Sequence, residues 1–169
     1  MEKTILVKMG ELVVVRINGE RNIILKTVVG SCVGVVLVDV QRRIGGLAHI
    51  MLPRQLKGDK AYGKYADTAV PLLLKKLLNS GAEREKIKAY MAGGACMFGN
   101  CDERGASKIG EENIKSTTKV LGGLAIPVVF KETGGNRGRT LMYNMKEDKI
   151  FIKVLSQFTG KKREGVLDK

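Results

Sequence analysis

The sequence predicts a layered α/β sandwich of α+β character, with mixed but largely antiparallel sheets and two main helices. Three observations carry this. Apolar, β-branched runs are separated by short polar turns, two segments have helical period with stop residues after them, and no internal repeat or low-complexity linker divides the chain. At 169 residues and 44% apolar content, one domain over residues 1–169 is expected, with a frayed basic tail over about residues 158–169.

In chain order, Gly10–Ile17 reads as a strand, and Asn18-Gly19 signals a hairpin to the next apolar run at Ile23-Ile24-Leu25. Cys32–Val38 and Ile44–Leu52 follow as antiparallel neighbours across the polar turn Asp39–Arg43. Asp67–Asn79 carries Ala69, Leu72, Leu73 and Leu77 at helical spacing, with Pro71 tolerated near its first turn, Gly81 past its end and Asp67 read as its N-cap. Ile87–Ala92 reads as a strand entering the corner Gly93-Gly94-Ala95. A second helix runs from Ser107 or Lys108 to Leu121, stopped by Gly122-Gly123. Strands are expected at Ala125–Lys131, Thr140–Asn144 and Ile150–Leu155, the last two joined by the turn 145–148.

The net charge of +13 favours acidic partners. Nucleic acid is not the expected one, because the basic residues are dispersed, tryptophan is absent and aromatics are only 5%. No apolar stretch is long enough for a membrane helix and the N-terminus lacks a secretory pattern, so a soluble cytoplasmic protein is expected. Three cysteines do not make a disulfide framework, and a reducing compartment is expected. Cys96 and Cys101 have the spacing to ligate a metal or to pair, but no second Cys/His pair accompanies them. They are read as packing or loop residues, with no metal and no cofactor expected.

The feature with most chemical content is Cys32, set in Gly30-Ser31-Cys32-Val33-Gly34, followed seventeen positions later by the chain's single histidine, His49. A thiol needs a nearby base to react as thiolate near neutral pH, and imidazole suits that task. The alternative is a buried small thiol and an ordinary hydrogen-bonded histidine. A hairpin centred near Gln41 sets Cys32 opposite position 49 or 50, within the roughly 4.5–5.5 Å of cross-strand neighbours.

Two loops merit notice. Gly93-Gly94 and Gly134-Gly135-Asn136 permit positive φ or close backbone approach, yet neither has the pattern of a Walker or dinucleotide loop, and tight turns explain them. Arg137 and Arg139 have the chemistry to bind a carboxylate or phosphate, but an ordering role through Glu132 is the simpler reading.

Five segments, Thr27–Val35, Gly45–Pro53, Lys64–Ala69, Ala92–Ala95 and Thr133–Arg139, together resemble the chemotaxis family CheD, in order and over nearly the full chain. The resemblance implies an α/β/β sandwich and a glutamine deamidase acting on methyl-accepting chemotaxis receptors, able also to hydrolyse glutamate methyl esters. It implies the phosphatase CheC as a binding partner. The family's nucleophile falls on Cys32, its histidine on His49 and its third member on Thr27.

On that resemblance, His49 deprotonates Cys32, the thiolate attacks a glutamine carboxamide, and backbone N–H groups around Gly30 and Ser31 stabilise the oxyanion. Thr27 holds the imidazole. The competing expectation is a non-enzymatic regulator that docks on CheC or receptors.

Overall fold

The structure, a computed structural model, describes residues 2–97 and 108–156. It contains two sheets and two main helices in three layers, as the strand-rich pattern predicts. The strands are β1 (Glu2–Leu6), β2 (Leu12–Arg16), β3 (Asn22–Val29), β4 (Val33–Asp39), β5 (Ile44–Ile50), β6 (Lys88–Gly93), β7 (Val128–Thr133), β8 (Arg139–Asn144) and β9 (Lys149–Val154). The helices are α1 (Ala66–Asn79) and α2 (Ile109–Gly123).

One sheet has the order β1-β3-β8-β9 and the other β2-β5-β4-β6-β7. Pairing is antiparallel except for β1 with β3 and β6 with β7, the latter two joined through α2. β4 and β5 are buried along their whole length because both faces are covered, by helices on one side and by the four-stranded sheet on the other. The helix side packs Leu73, Leu77 and Leu121 against Val35, Leu37, Ile44 and Ile50. The inter-sheet side packs Val36, Val38 and Leu47 against Leu25, Leu141 and Tyr143. At its far end Asp148, in the left-handed region at φ 52°, accepts hydrogen bonds from Tyr90 (2.8 Å), Tyr143 and Lys88 (2.7 Å).

Several expectations are corrected. β2 and β3 do not form a hairpin. Gly19, at φ 68°, turns the chain from one sheet to the other, and β2 pairs instead with β5, whose inner position requires a partner on each edge. β1 was not legible as a strand, since its residues are mostly exposed at a sheet edge. Pro71 stands in the second turn of α1, where it removes the donor to the Asp67 carbonyl, rather than in the first. Ser107, Cys101 and the tail 158–169 lie outside the described residues. Cys32 is a free thiol, whereas Cys96 is disulfide-bonded rather than a simple packing residue.

The β4–β5 hairpin forms as read from the sequence, but its register differs. Asp39 pairs with Ile44 and Arg43 takes φ 55°, so four residues close the turn. The buried Asp39 carboxylate caps it by accepting from Arg42 N (3.1 Å) and Glu83 N (2.8 Å). His49 therefore lies opposite Gly34, and the last pair is Val33 with Ile50. Cys32 is thus not directly opposite position 49 or 50; it precedes β4, one residue beyond the last pair of the ladder.

Candidate active site

Strand alternation determines which side chains meet. On β3, Leu25, Thr27 and Val29 point inward and are buried, while Lys26 and Val28 point outward. On β5, His49 points toward that same inter-sheet layer, 3% exposed. Thr27 Oγ1 and His49 Nδ1 are 2.7 Å apart, and Thr27 Oγ1 is also 2.7 Å from the Val7 carbonyl.

This three-member chain has one consistent proton arrangement. A carbonyl only accepts, so the single hydroxyl proton of Thr27 goes to Val7 O, and His49 Nδ1–H donates to Thr27 Oγ1. Nε2 is then the unprotonated nitrogen. It is buried and has no hydrogen-bond partner among the described residues. Burial holds the His49 pKa below its ordinary value, opposed by the Val7 carbonyl and the Glu11 charge, so the imidazole is neutral and basic near pH 7.

Cys32 is half-buried and stands two residues before Gly34, the residue paired with His49. Burial pushes its thiol up, and the thiol's own backbone N–H pulls it down by less. The resting pair is therefore thiol and imidazole, both neutral.

The loop before β4 is held by its carbonyls. Gly30 O accepts from Ala95 N (2.8 Å), Ser31 O from Asn113 Nδ2 (3.0 Å), and Cys32 O from Gly94 N (2.8 Å). In a trans peptide the following N–H points the opposite way, so the N–H groups of Ser31 and Cys32 are turned from those contacts. Gly93, at φ 118°, is what allows this closeness: a Cβ there would lie 2.2 Å from Cys32 O. The Gly93-Gly94 corner thus shapes the loop that carries Cys32, a tighter link to the site than a simple turn.

Other predicted positions fall elsewhere. Asp67 is not the N-cap of α1; Tyr65 is, without a side-chain cap, and the Asp67 carboxylate accepts from Gln55 N (2.9 and 3.1 Å). Arg139 orders the 134–138 loop as expected, donating to Gly134 O (2.8 Å) and Arg137 O (3.3 Å) beside Glu132 (3.5 Å). Sequence reasoning missed Asn113, whose signal was a polar residue on the apolar side of a helix. It also missed Val7, which contributes only a backbone carbonyl. No group of three or more metal-binding side chains occurs among the described residues.

A family model described as CheD chemotactic sensory transduction matches residues 51–154. Curated relatives extend the match. A probable chemoreceptor glutamine deamidase CheD of Clostridium novyi is 42% identical over 128 residues, covering 75% of this chain and 79% of its own. The chemoreceptor glutamine deamidase CheD of Halalkalibacterium halodurans is 44% identical over 131 residues, with 76% and 81% covered. A probable chemoreceptor glutamine deamidase CheD of Methanococcus vannielii is 41% identical over 148 residues, with 87% and 92% covered, an alignment long enough to include Thr27 through His49. The chain belongs to the CheD family.

Proposed function

We propose that this protein is a chemoreceptor glutamine deamidase, an amidohydrolase that converts glutamine side chains of methyl-accepting chemotaxis receptors to glutamate. Cys32 is its nucleophile, His49 its base and Thr27 the residue that orients the base. The observation that carries this reading is the hydrogen-bond chain from His49 Nδ1 through Thr27 Oγ1 to Val7 O, which leaves Nε2 free to accept a proton.

In the reaction His49 Nε2 takes the Cys32 proton as sulfur attacks the carboxamide carbon. The tetrahedral oxyanion is met by the N–H groups of the Gly30–Cys32 loop, including those of Ser31 and Cys32. The imidazolium gives its proton to the departing ammonia, leaving a thioester on Cys32. His49 then deprotonates a water that attacks the thioester carbon, releasing glutamate and restoring the thiol. A glutamate methyl ester follows the same course with methanol as leaving group. The chain's own side chains suffice for each proton transfer.

No helix among the described residues is long and apolar enough to cross a membrane, which suits action on the cytoplasmic part of a receptor. The positive charge of +13 suits acidic protein surfaces. CheC belongs to the same reading as a second protein partner, supported by the family resemblance.

Receptor cytoplasmic fragments incubated with the protein and followed by peptide mass spectrometry test the assignment. Glutamine-to-glutamate conversion is expected with the unaltered chain and not with Cys32→Ala. Conversion at an equal rate by the alanine variant overturns it. Methanol release from methylated fragments tests the ester reaction, and CheC pull-down with Cys32→Ala separates binding from chemistry.

A further inference from the structure

The end of the β4–β5 ladder nearest Cys32 is closed by a side chain. After Val33 and Ile50 the two chains part, and Asn113 of α2 enters the gap. Its amide nitrogen lies 3.0 Å from Ser31 O and 2.9 Å from Met51 O. Both partners are carbonyls, so only the nitrogen end of the amide satisfies them, one N–H to each chain.

We infer that Asn113 is the positioning residue of this site. Its amide ties the peptide preceding Cys32 to the strand end that carries His49 two residues earlier, and so sets the separation of Sγ and Nε2. The inference rests on the assignment of Cys32 and His49 given under Proposed function.

Three further features support it. Asn113 is fully buried and its Oδ1 has no partner among the described residues, so an apolar side chain would be cheaper there unless the two bonds mattered. The preceding turn of α2 is seated on the glycine corner. A Cβ on Gly110 would lie 2.6 Å from Gly94 O, and one on Gly94 would lie 2.4 Å from Ile114 Cγ1. The next turn grips the chain beyond Met51, where Ser116 Oγ donates to Pro53 O at 2.6 Å. The corner that receives Gly110 is also the one whose N–H groups hold Gly30 O and Cys32 O, so α2 and the corner fix all three loop carbonyls together.

The test uses the full chain and iodoacetamide, with alkylation of Cys32 followed by peptide mass spectrometry from pH 5 to 10, beside deamidation of a receptor fragment. In the unaltered chain, Cys32 alkylation near neutral pH is expected to depend on His49, falling in His49→Ala. Asn113→Ala, measured well below its melting temperature, is expected to lose that His49-dependent limb and to lower kcat by about tenfold or more with little change in KM, because a small misplacement of reacting groups is costly. Asn113→Ser keeps one donor and should fall between the two. A folded Asn113→Ala with the unaltered alkylation profile and kcat overturns the inference. If the alanine variant does not fold, an unaltered profile in Asn113→Ser does so. Absence of any His49 dependence in the unaltered chain instead overturns the assignment of the pair.

Discussion

Gly34 stands directly opposite His49 across the β4–β5 pair, so the imidazole has no side chain beside it on the neighbouring strand. The space is narrow as well as vacant. A Cβ at position 34 would lie 3.1 Å from Thr27 Cγ2 and 3.3 Å from Leu141 Cδ1, so any larger residue presses on the side chain hydrogen-bonded to His49. A glycine on β4 thereby lets the inner face of β3 approach β5 closely enough for hydroxyl and imidazole to meet.

Thr27→Val keeps the shape and removes the hydroxyl. His49 Nδ1 and Val7 O then lose their shared partner in a buried layer, at a cost of about 1–3 kcal/mol in stability. The tautomer is no longer held, and kcat for deamidation should fall by about ten- to a hundredfold. This is less than the loss of a triad carboxylate, because a neutral hydroxyl orients without adding charge. Thr27→Ser should restore most of the rate. Urea titration and ammonia release check the two effects separately.

The pH dependence follows from the depressed His49 pKa. With His49 as the proposed base the neutral imidazole is the active form, so the acid limb of kcat/KM should have its midpoint below the ordinary value of 6.5. Cys32, raised above 9.0, should remain a thiol across the neutral range and give no alkaline loss there. The sign for stability is set by the same group. As pH falls through 6.5 the unfolded chain takes up the proton before the folded one, so the stability present above that pH declines toward the folded pKa. Denaturation curves at a series of pH values should show this slope, and His49→Gln should remove it. An acid limb above 6.5 would contradict the burial of the imidazole.

Gly93→Ala and Gly122→Ala should behave oppositely. At Gly93 the methyl group meets Cys32 O and the backbone is in the left-handed region, so about 2–4 kcal/mol of stability is lost and the loop carrying Cys32 shifts. Gly122, near the end of α2, has nothing within 4 Å of its Cβ direction, and alanine there should stabilise by about 0.5–1 kcal/mol with unaltered activity. Thermal melts and ammonia release on the two variants make the comparison.

What the sequence makes legible here is local. The β4–β5 hairpin, both helices and the ordering role of Arg139 follow from alternation, period and turn chemistry in neighbouring residues. Cys32 and His49 emerged because their residue types are rare in this chain. The hairpin register differs from the expected one because the turn takes a non-glycine residue, Arg43, into the left-handed region, which nothing in its side chain announces. β2 and β3 part for a different reason. Asn18-Gly19 encodes a reversal but not which sheet the chain returns to, and that choice is made by the distant strand β5. Asn113 and Val7 act through contacts 82 and 20 residues away in sequence, beyond the reach of any local pattern.

The imidazole stands on one sheet and the hydroxyl that steadies it on the other. The proposed base and the residue that holds it are therefore brought together across a seam rather than along a strand. Slippage of the two sheets that parts this hydrogen bond would release the proposed base while every helix and ladder remained intact, so the rate of reaction should report how the layers are seated where secondary structure does not.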